Sequence, residues 1–450
     1  MDNNELGTGN IKPLIFKLAV PTILAQLVNL LYNIVDRIYV GRIPQTGSLS
    51  LAGLGVTFPI LMLIAAFAAL AGMGGASRAA IAMGEKNNKK AELILGNSTS
   101  LLLIFSAVLT VVFMVFKEPI LLRFGASENT LPYASDYITI YLIGTVFVQL
   151  ALGLNAFITN QGFTRMSMAT VCIGAALNIL LDPLFIYVFD MGVRGAAVAT
   201  IISQAVSCAW VLWFLCKSRR SILKIRILNL RLNLNVVGSI LSLGISPFIM
   251  QFTECLIQLT FNNGMLRYGN DMYVALMSIL FSMMQLVWMP IGGMSQGVQP
   301  IIGYNYGAQN FARVKQAFRI LFVCNITFSL MIVTLVELFP GVFLGMFTND
   351  AEIINMGIPA VRVFLIGMSI MGAQSACQNT FLALGEAKTS LFLAFLRKII
   401  LLLPLALILP KIAGLGVWGI ILAEPISDII AVTVTTTMYI VRSRKLLRQA

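Results

Sequence analysis

The chain runs to 450 residues, of which 58% are hydrophobic and only 11% charged, with a mean hydropathy of +0.89. A soluble domain carries roughly 25% charged residues, so an integral membrane protein is expected instead. The net charge of +13 invites a nucleic-acid reading, but the sequence leaves no soluble module to carry one.

In chain order, apolar windows fall at about 14–40, 52–80, 93–116, 132–160, 166–189 and 193–216. A second set follows at about 236–266, 273–303, 317–339, 355–384, 388–410 and 415–441. Each is long enough to cross a bilayer, which needs about 20 mostly apolar residues, so twelve transmembrane helices are predicted. The N-terminus is short and polar, and the first window is too long for a signal peptide. With the N-terminus in the cytoplasm, the inner segments hold Lys12, Lys17, Lys86, Lys89, Lys90, Arg165 and the basic run 217–231. They also hold Arg313, Lys315, Arg319, Lys388, Arg442, Arg444, Lys445 and Arg448. The outer segments and their edges hold only Arg37, Arg42, Lys117, Arg123, Arg194, Arg267 and Lys411. This positive-inside bias places both termini in the cytoplasm and the protein, multi-pass, in the cell membrane, its basic surface against anionic lipids.

The first helix, from Leu18 to Tyr39, carries Gln26, Asn29, Asn33 and Asp36 at spacings of 3, 4 and 3. That spacing draws one polar stripe ending in a carboxylate. An ionised Asp facing lipid costs roughly 2.5–3.5 kcal/mol, so the stripe faces protein, water or an ion.

The chain then repeats itself. GEKNNKKA recurs as GAQNFARV, Phe124-Gly-Ala-Ser-Glu as Phe347-Thr-Asn-Asp-Ala, and NQGFTRMS as ALGEAKTS, each 223 residues on. LAVPTI near Pro21 recurs as LGISPF near Pro247, and MGVRGAA as LGVWGII. The expected plan is all-α: two pseudo-symmetric six-helix lobes, 1–216 and 236–450, joined by a basic cytoplasmic linker, 217–235. An even number of helices per copy makes this a parallel repeat, with the substrate path between halves that rock alternately. The linker reads as a surface segment, short and amphipathic.

The six cysteines show no CxxC spacing and the chain has no histidine, so zinc and haem sites are not expected and each Cys reads as a buried small hydrophobe. In the second half, Gln251, Glu254, Gln258 and Asn262 form a stripe on helix seven. Arg397 and Lys398 on helix eleven and Glu424 and Asp428 on helix twelve have opposite signs and similar depths, and read as a structural ion-pair cluster. Met283, Met284, Met289 and Met294 crowd helix eight; most read as core filler, with Met284 expected at a cavity where a pliable side chain suits varied ligands. Pro300-Ile-Ile-Gly-Tyr-Asn-Tyr-Gly-Ala reads as a closely packed helix ending in a turn.

PIIGYNYGA, the duplicated six-helix plan and the NILLDP stretch together resemble the multidrug and toxic compound extrusion (MATE) transporters over essentially the whole chain. The resemblance implies cation-coupled antiport, by proton or sodium, of amphipathic and mostly cationic organic compounds, with no cofactor and no metal beyond a coupling sodium. It also implies a coupling site at Asp36, Asn178, Asp182 and Thr200. The residues themselves support that set. Asn178 and Asp182 lie four apart on one helical face, and Pro183 frees backbone carbonyls beside them. By helical rise, Asp36 lies about 6 Å, and Asp182 and Thr200 about 10 Å, from the outer ends of their helices. Two carboxylates with amide, hydroxyl and carbonyl oxygens suit a proton or a small hard cation. Hydrogen bonding between helices is the plainer role open to Asn178 and Thr200.

Asn33, Asn155, Gln251, Glu254, Gln258 and Met284 are the expected substrate contacts, with Glu254 a counter-charge for cations or a structural polar contact. Asn155 stands where some relatives of the resembled family carry an acid, and helix ten lacks the acid that pairs with a helix-seven Glu in others. The expected protein is a monomer with small organic cations and membrane lipids as partners. A flippase for lipid-linked saccharides is the alternative, although its cavity would be more strongly basic. An enzyme is not expected, for want of His, a metal motif or a Ser–base pair, and no Walker A sequence is present.

Overall fold

The computed structural model describes residues 5–348, 350–412 and 414–447. Arg448 of the basic tail lies outside the described residues. Eleven helices are long and apolar enough to span a membrane, or twelve if one bent pair is a single span. They are labelled α1 (Ile11–Gly41), α2 (Gly47–Gly84), α3 (Asn88–Arg123), α4a (Leu131–Ile143) with α4b (Thr145–Asn160), α5 (Thr164–Pro183) and α6 (Gly192–Cys216). The second set is α7 (Leu234–Tyr268), α8 (Asp271–Gly307), α9 (Phe311–Leu338), α10 (Ala351–Ala383), α11 (Ala387–Lys411) and α12 (Val417–Leu446).

Most helices overrun their apolar windows, and several are broken in ways the windows do not reveal. The fourth span bends by 60° at Gly144, where an added Cβ would press into the Ile201 side chain of α6. Helix α5 passes through Pro183 into a π turn, Leu184–Val188, because proline supplies no N–H to continue the α ladder. Helix α10 carries a 3-10 segment at Ile366–Ile370, and α11 a π turn at Leu396–Leu402. The linker between α6 and α7 is irregular apart from a 3-10 turn at Ile227–Leu230, rather than an amphipathic α-helix.

The two sets meet at the end that carries the chain termini. Lipid tails are as apolar as leucine, so helices associate in a bilayer through close packing and polar contacts, and small residues permit that closeness. The chain follows this rule. Gly74 of α2 abuts Gly244 of α7, Gly293 of α8 lies against the Ile23 backbone of α1, and Gly297 against Ala19. Thr22 Oγ1 donates to the Gly293 carbonyl at 2.6 Å, Gln26 to Gln296 at 3.2 Å and Gln299 to Ser77 at 2.7 Å. A core of Ile11, Leu14, Ile15 and Leu18 with Val298, Ile301, Ile302 and Val314 closes this end.

The PIIGYNYGA stretch is, as expected, closely packed helix, running to Gly307 and turning at Ala308. Its glycines serve contact: a side chain at Gly307 would collide with the Ile81 carbonyl, and Tyr304 fills the space that Gly84 leaves open. The cysteines depart from expectation. Cys208 and Cys377 are buried, but Cys172, Cys255 and Cys324 are half-buried and Cys216 is exposed where α6 ends.

A Cβ at Gly244 would drive into the Leu70 carbonyl, whereas one at Gly238 meets nothing within 4 Å. Gly244→Val should destabilise the purified protein by about 1–3 kcal/mol or more, as overpacking does. Gly238→Ala should be neutral or stabilising by up to about 1 kcal/mol, because alanine restricts the unfolded chain. Thermal unfolding of both variants in detergent checks the contrast.

Candidate functional site: two buried charge clusters

The first cluster lies in the N-terminal half. Helix α1 brings Asp36, α5 brings Asn178 and Asp182, and α6 brings Thr200. Asn178 Nδ2 donates to Asp182 Oδ1 at 3.2 Å and to Thr200 Oγ1 at 3.3 Å, while Thr200 donates to the Ala196 carbonyl at 2.9 Å. The Asp36 and Asp182 carboxylates abut within hydrogen-bonding reach. Asp182 is fully buried and Asn178 nearly so. Asp36 Oδ1, Asp182 Oδ2 and Asn178 Oδ1 are buried without a hydrogen-bond partner among the described residues. Neither acid has a salt bridge there, and the neighbouring Arg37 guanidinium lies instead over the Phe58 ring at 5.8 Å.

Several neighbours were not singled out from the sequence. Tyr32 lies near both acids, and the Tyr137 hydroxyl lies beside Thr200. Tyr187, in the π turn after Pro183, donates to the Tyr39 carbonyl at 2.7 Å and ties α5 to the far end of α1. The only sequence signal for Tyr137 is its i, i+4 pairing with Tyr141, which stacks on it at 6.1 Å. A cavity of about 60 Å³ adjoins the cluster, lined by Asn29, Tyr32, Asn155, Asn178, Thr200 and Gln204 among others. Asn155 donates to the Ser167 carbonyl at 3.3 Å and leaves its Oδ1 unpaired. Asn33 is exposed and donates to the Asn29 carbonyl at 2.7 Å.

The second cluster lies in the C-terminal half. Arg397 forks between Glu424 Oε1 at 3.0 Å and Asp428 Oδ1 at 2.8 Å, with Trp288 5.8 Å from its guanidinium. All three charged groups are buried. Lys398 turns the other way, to Glu254 on α7 at 2.5 Å. The expected cluster of four residues thus divides, with Arg397 on the α12 acids and Lys398 on α7. Adjacent residues project about 100° apart around a helix, so the two bases cannot face α12 together. Glu254, expected as a counter-charge for cations or a structural polar contact, is ion-paired, although its side chain keeps 28% exposure. Gln251 and Gln258 are half-buried on the same helix. Met284 departs further from expectation: it is 2% exposed inside the C-half core, because α8 turns this face inward toward Phe281, Val287 and Phe364.

Removing one partner of a buried ion pair strands the other charge. Arg397→Met leaves two carboxylates unpaired and should cost about 3–5 kcal/mol. Lys398→Met should cost less, because it strands one carboxylate, less buried than Glu424 and Asp428, instead of two. Unfolding of the purified variants, followed by tryptophan fluorescence, measures the ranking.

The comparisons follow from this arrangement. The family model described as MatE matches the chain twice, over residues 21–184 and 247–408. The multidrug export protein MepA of Staphylococcus saprophyticus is 25% identical over 95% of this chain and 93% of its own length. A crystal structure of MATE in the bent conformation is 25% identical with a TM-score of 0.92, covering 99% of this chain and 98% of that one. An outward-facing multidrug resistance MATE family transporter of the MOP superfamily shares the fold, at 24% identity and a TM-score of 0.91, covering 99% of each chain. A duplicated family match over most of the chain, helices that span a membrane and a full-length fold likeness agree: the chain belongs to the MATE family of multidrug exporters, membrane transporters rather than enzymes.

Proposed function

We propose that the protein is a secondary active antiporter of the cell membrane that exports amphipathic organic cations in exchange for protons or sodium ions. The observation that carries this reading is the abutment of Asp36 and Asp182 with no base between them. Two carboxylates in a low-dielectric site cannot both stay charged unaided, so a proton or a cation enters with them. Asn178 and Thr200 supply the further oxygens, and α1, α5 and α6 are the helices that feel the change in charge.

In this reading the two lobes, 1–216 and 236–450, rock about the basic linker, with both termini cytoplasmic and one chain sufficient. The halves pack at the terminus-bearing end, so the cleft in this state opens outward. Gln251, Glu254 and Gln258 on α7 and Asn33 on α1 meet substrate, with Asn155 in the adjoining cavity. The flippase alternative is disfavoured because Arg397 and Lys398, the bases buried among the C-half helices, are both spent on carboxylates. Coupling is reciprocal in binding free energy: an ion that weakens substrate binding is itself weakened by substrate.

Asp36→Asn should abolish gradient-driven export in everted vesicles while leaving expression and unfolding unchanged. Asp182→Asn should do the same, and the double variant should be little worse, because the pair acts as one unit. Imposing proton and sodium gradients separately identifies the ion. Wild-type export by Asp36→Asn under either gradient would refute the site.

Glu254→Gln removes a negative charge and leaves Lys398 unpaired near the cleft. Export of cationic dyes should fall while that of uncharged substrates is retained. Equal loss for both classes would make Glu254 purely structural.

A further inference from the structure

At the terminus-bearing end of the N-half, the start of α1, the α4b–α5 turn and the linker enclose a cavity of about 300 Å³. Leu18 and Phe163 are buried in its wall with Met166 half-buried, and the exposed Lys17, Arg165 and Arg220 stand around it. The position of Arg220 is built rather than incidental. Gln161, 2% exposed, accepts from Ser221 Oγ at 3.1 Å and from the backbone N–H groups of Ile222 and Leu223 at 2.8 and 3.0 Å. These bonds hold the linker against the turn that carries Arg165. Lys17 is already paired with Glu5 at 2.5 Å, whereas neither Arg165 nor Arg220 has a carboxylate partner among the described residues.

The same linker continues along α3. Asn97, fully buried, bonds the Asn229 and Arg231 carbonyls and the Asn233 N–H, and Ser100 bonds the Leu230 carbonyl at 2.6 Å. Asn97 lies nine residues into α3, about 14 Å along its axis. At that level Ile227 and Leu228 are 88% and 89% exposed, with Arg226 and Arg231 on either side. Polar surface this deep along a spanning helix, displaying two large apolar side chains, fits the boundary between headgroups and acyl chains.

We infer that this cavity is a binding site for an anionic phospholipid, its phosphate between Arg165 and Arg220 and its first methylenes over Leu18, Phe163 and Met166. A soluble phosphate shares the cationic contact but has no use for the apolar wall or for the exposed Ile227 and Leu228. The lipid bridges α1, the α4b–α5 turn and the linker, and so clasps the helix that bears Asp36.

The test is the thermal midpoint of the full-length protein in uncharged detergent, titrated with phosphatidylglycerol, phosphatidylcholine or glycerol phosphate. Phosphatidylglycerol should raise the midpoint and the other two should not. Each cation near an anionic lipid contributes about fivefold in affinity, so Arg165→Gln with Arg220→Gln should weaken the phosphatidylglycerol response roughly twenty-five-fold. Arg165→Lys with Arg220→Lys should largely retain it, as should Lys86→Gln with Lys89→Gln, which lowers charge equally on the exposed α2–α3 turn. An unchanged response in the double Gln variant, an equal loss in the Lys86/Lys89 control, or an equal response to glycerol phosphate would each overturn the site.

Discussion

Every ionisable group that enters the bilayer must be neutralised inside the protein, because lipid offers neither water nor counter-ions. That requirement organises both halves of this transporter. In the C-half Arg397 and Lys398 are shared among three carboxylates drawn from α7 and α12, which offsets all but one of the negative charges. In the N-half two acids, an amide and a hydroxyl turn toward one another with no salt-bridged base among the described residues. One cluster is built from ion pairs, the other from carboxylates and neutral hydrogen-bonding groups. The two halves of a duplicated chain have thus come to hold their charge in different ways.

A second constraint is distance. With little hydrophobic drive between helices in lipid, the closed end depends on backbones that nearly touch, and Gly74, Gly244, Gly293 and Gly297 permit this. Thr22, Gln26 and Gln299 add polar contacts across the same seam. Such contacts are individually modest, about 0.6 kcal/mol on average inside membranes. A seam of small residues and modest hydrogen bonds can close firmly and still reopen, which suits a carrier better than an interdigitated core.

Much of this was legible in the sequence, because the bilayer imposes its own ruler. Window lengths give the spans, and helical rise gives the depth of each polar residue, so Asp36, Asp182 and Thr200 could be set at one level. Depth alone does not give direction around the axis. Hence the sequence aligned both Arg397 and Lys398 with the α12 acids, whereas neighbours on a helix face different partners. The same limit applies to glycine: PIIGYNYGA reads as a closely packed helix ending in a turn, but it does not reveal that Gly303 and Gly307 pack against α2 in particular. The 60° bend at Gly144 and the inward face of Met284 likewise depend on neighbours that are remote in sequence.

The fifth helix of each half contains a π turn, at Leu184–Val188 and at Leu396–Leu402, and each touches its half's charge cluster. A π turn holds one more residue per loop than the α ladder, and so stores slack without opening a gap in the chain. Sliding that extra residue along the helix turns the stretch it passes by about 100°, while both ends stay anchored. Helices α5 and α11 can therefore work as swivels, re-aiming Asp182 or the Arg397–Lys398 pair with little sideways displacement of their neighbours. Motion of this kind spares the tightly packed seam, because the stretch turns in place and six helices need not tilt together.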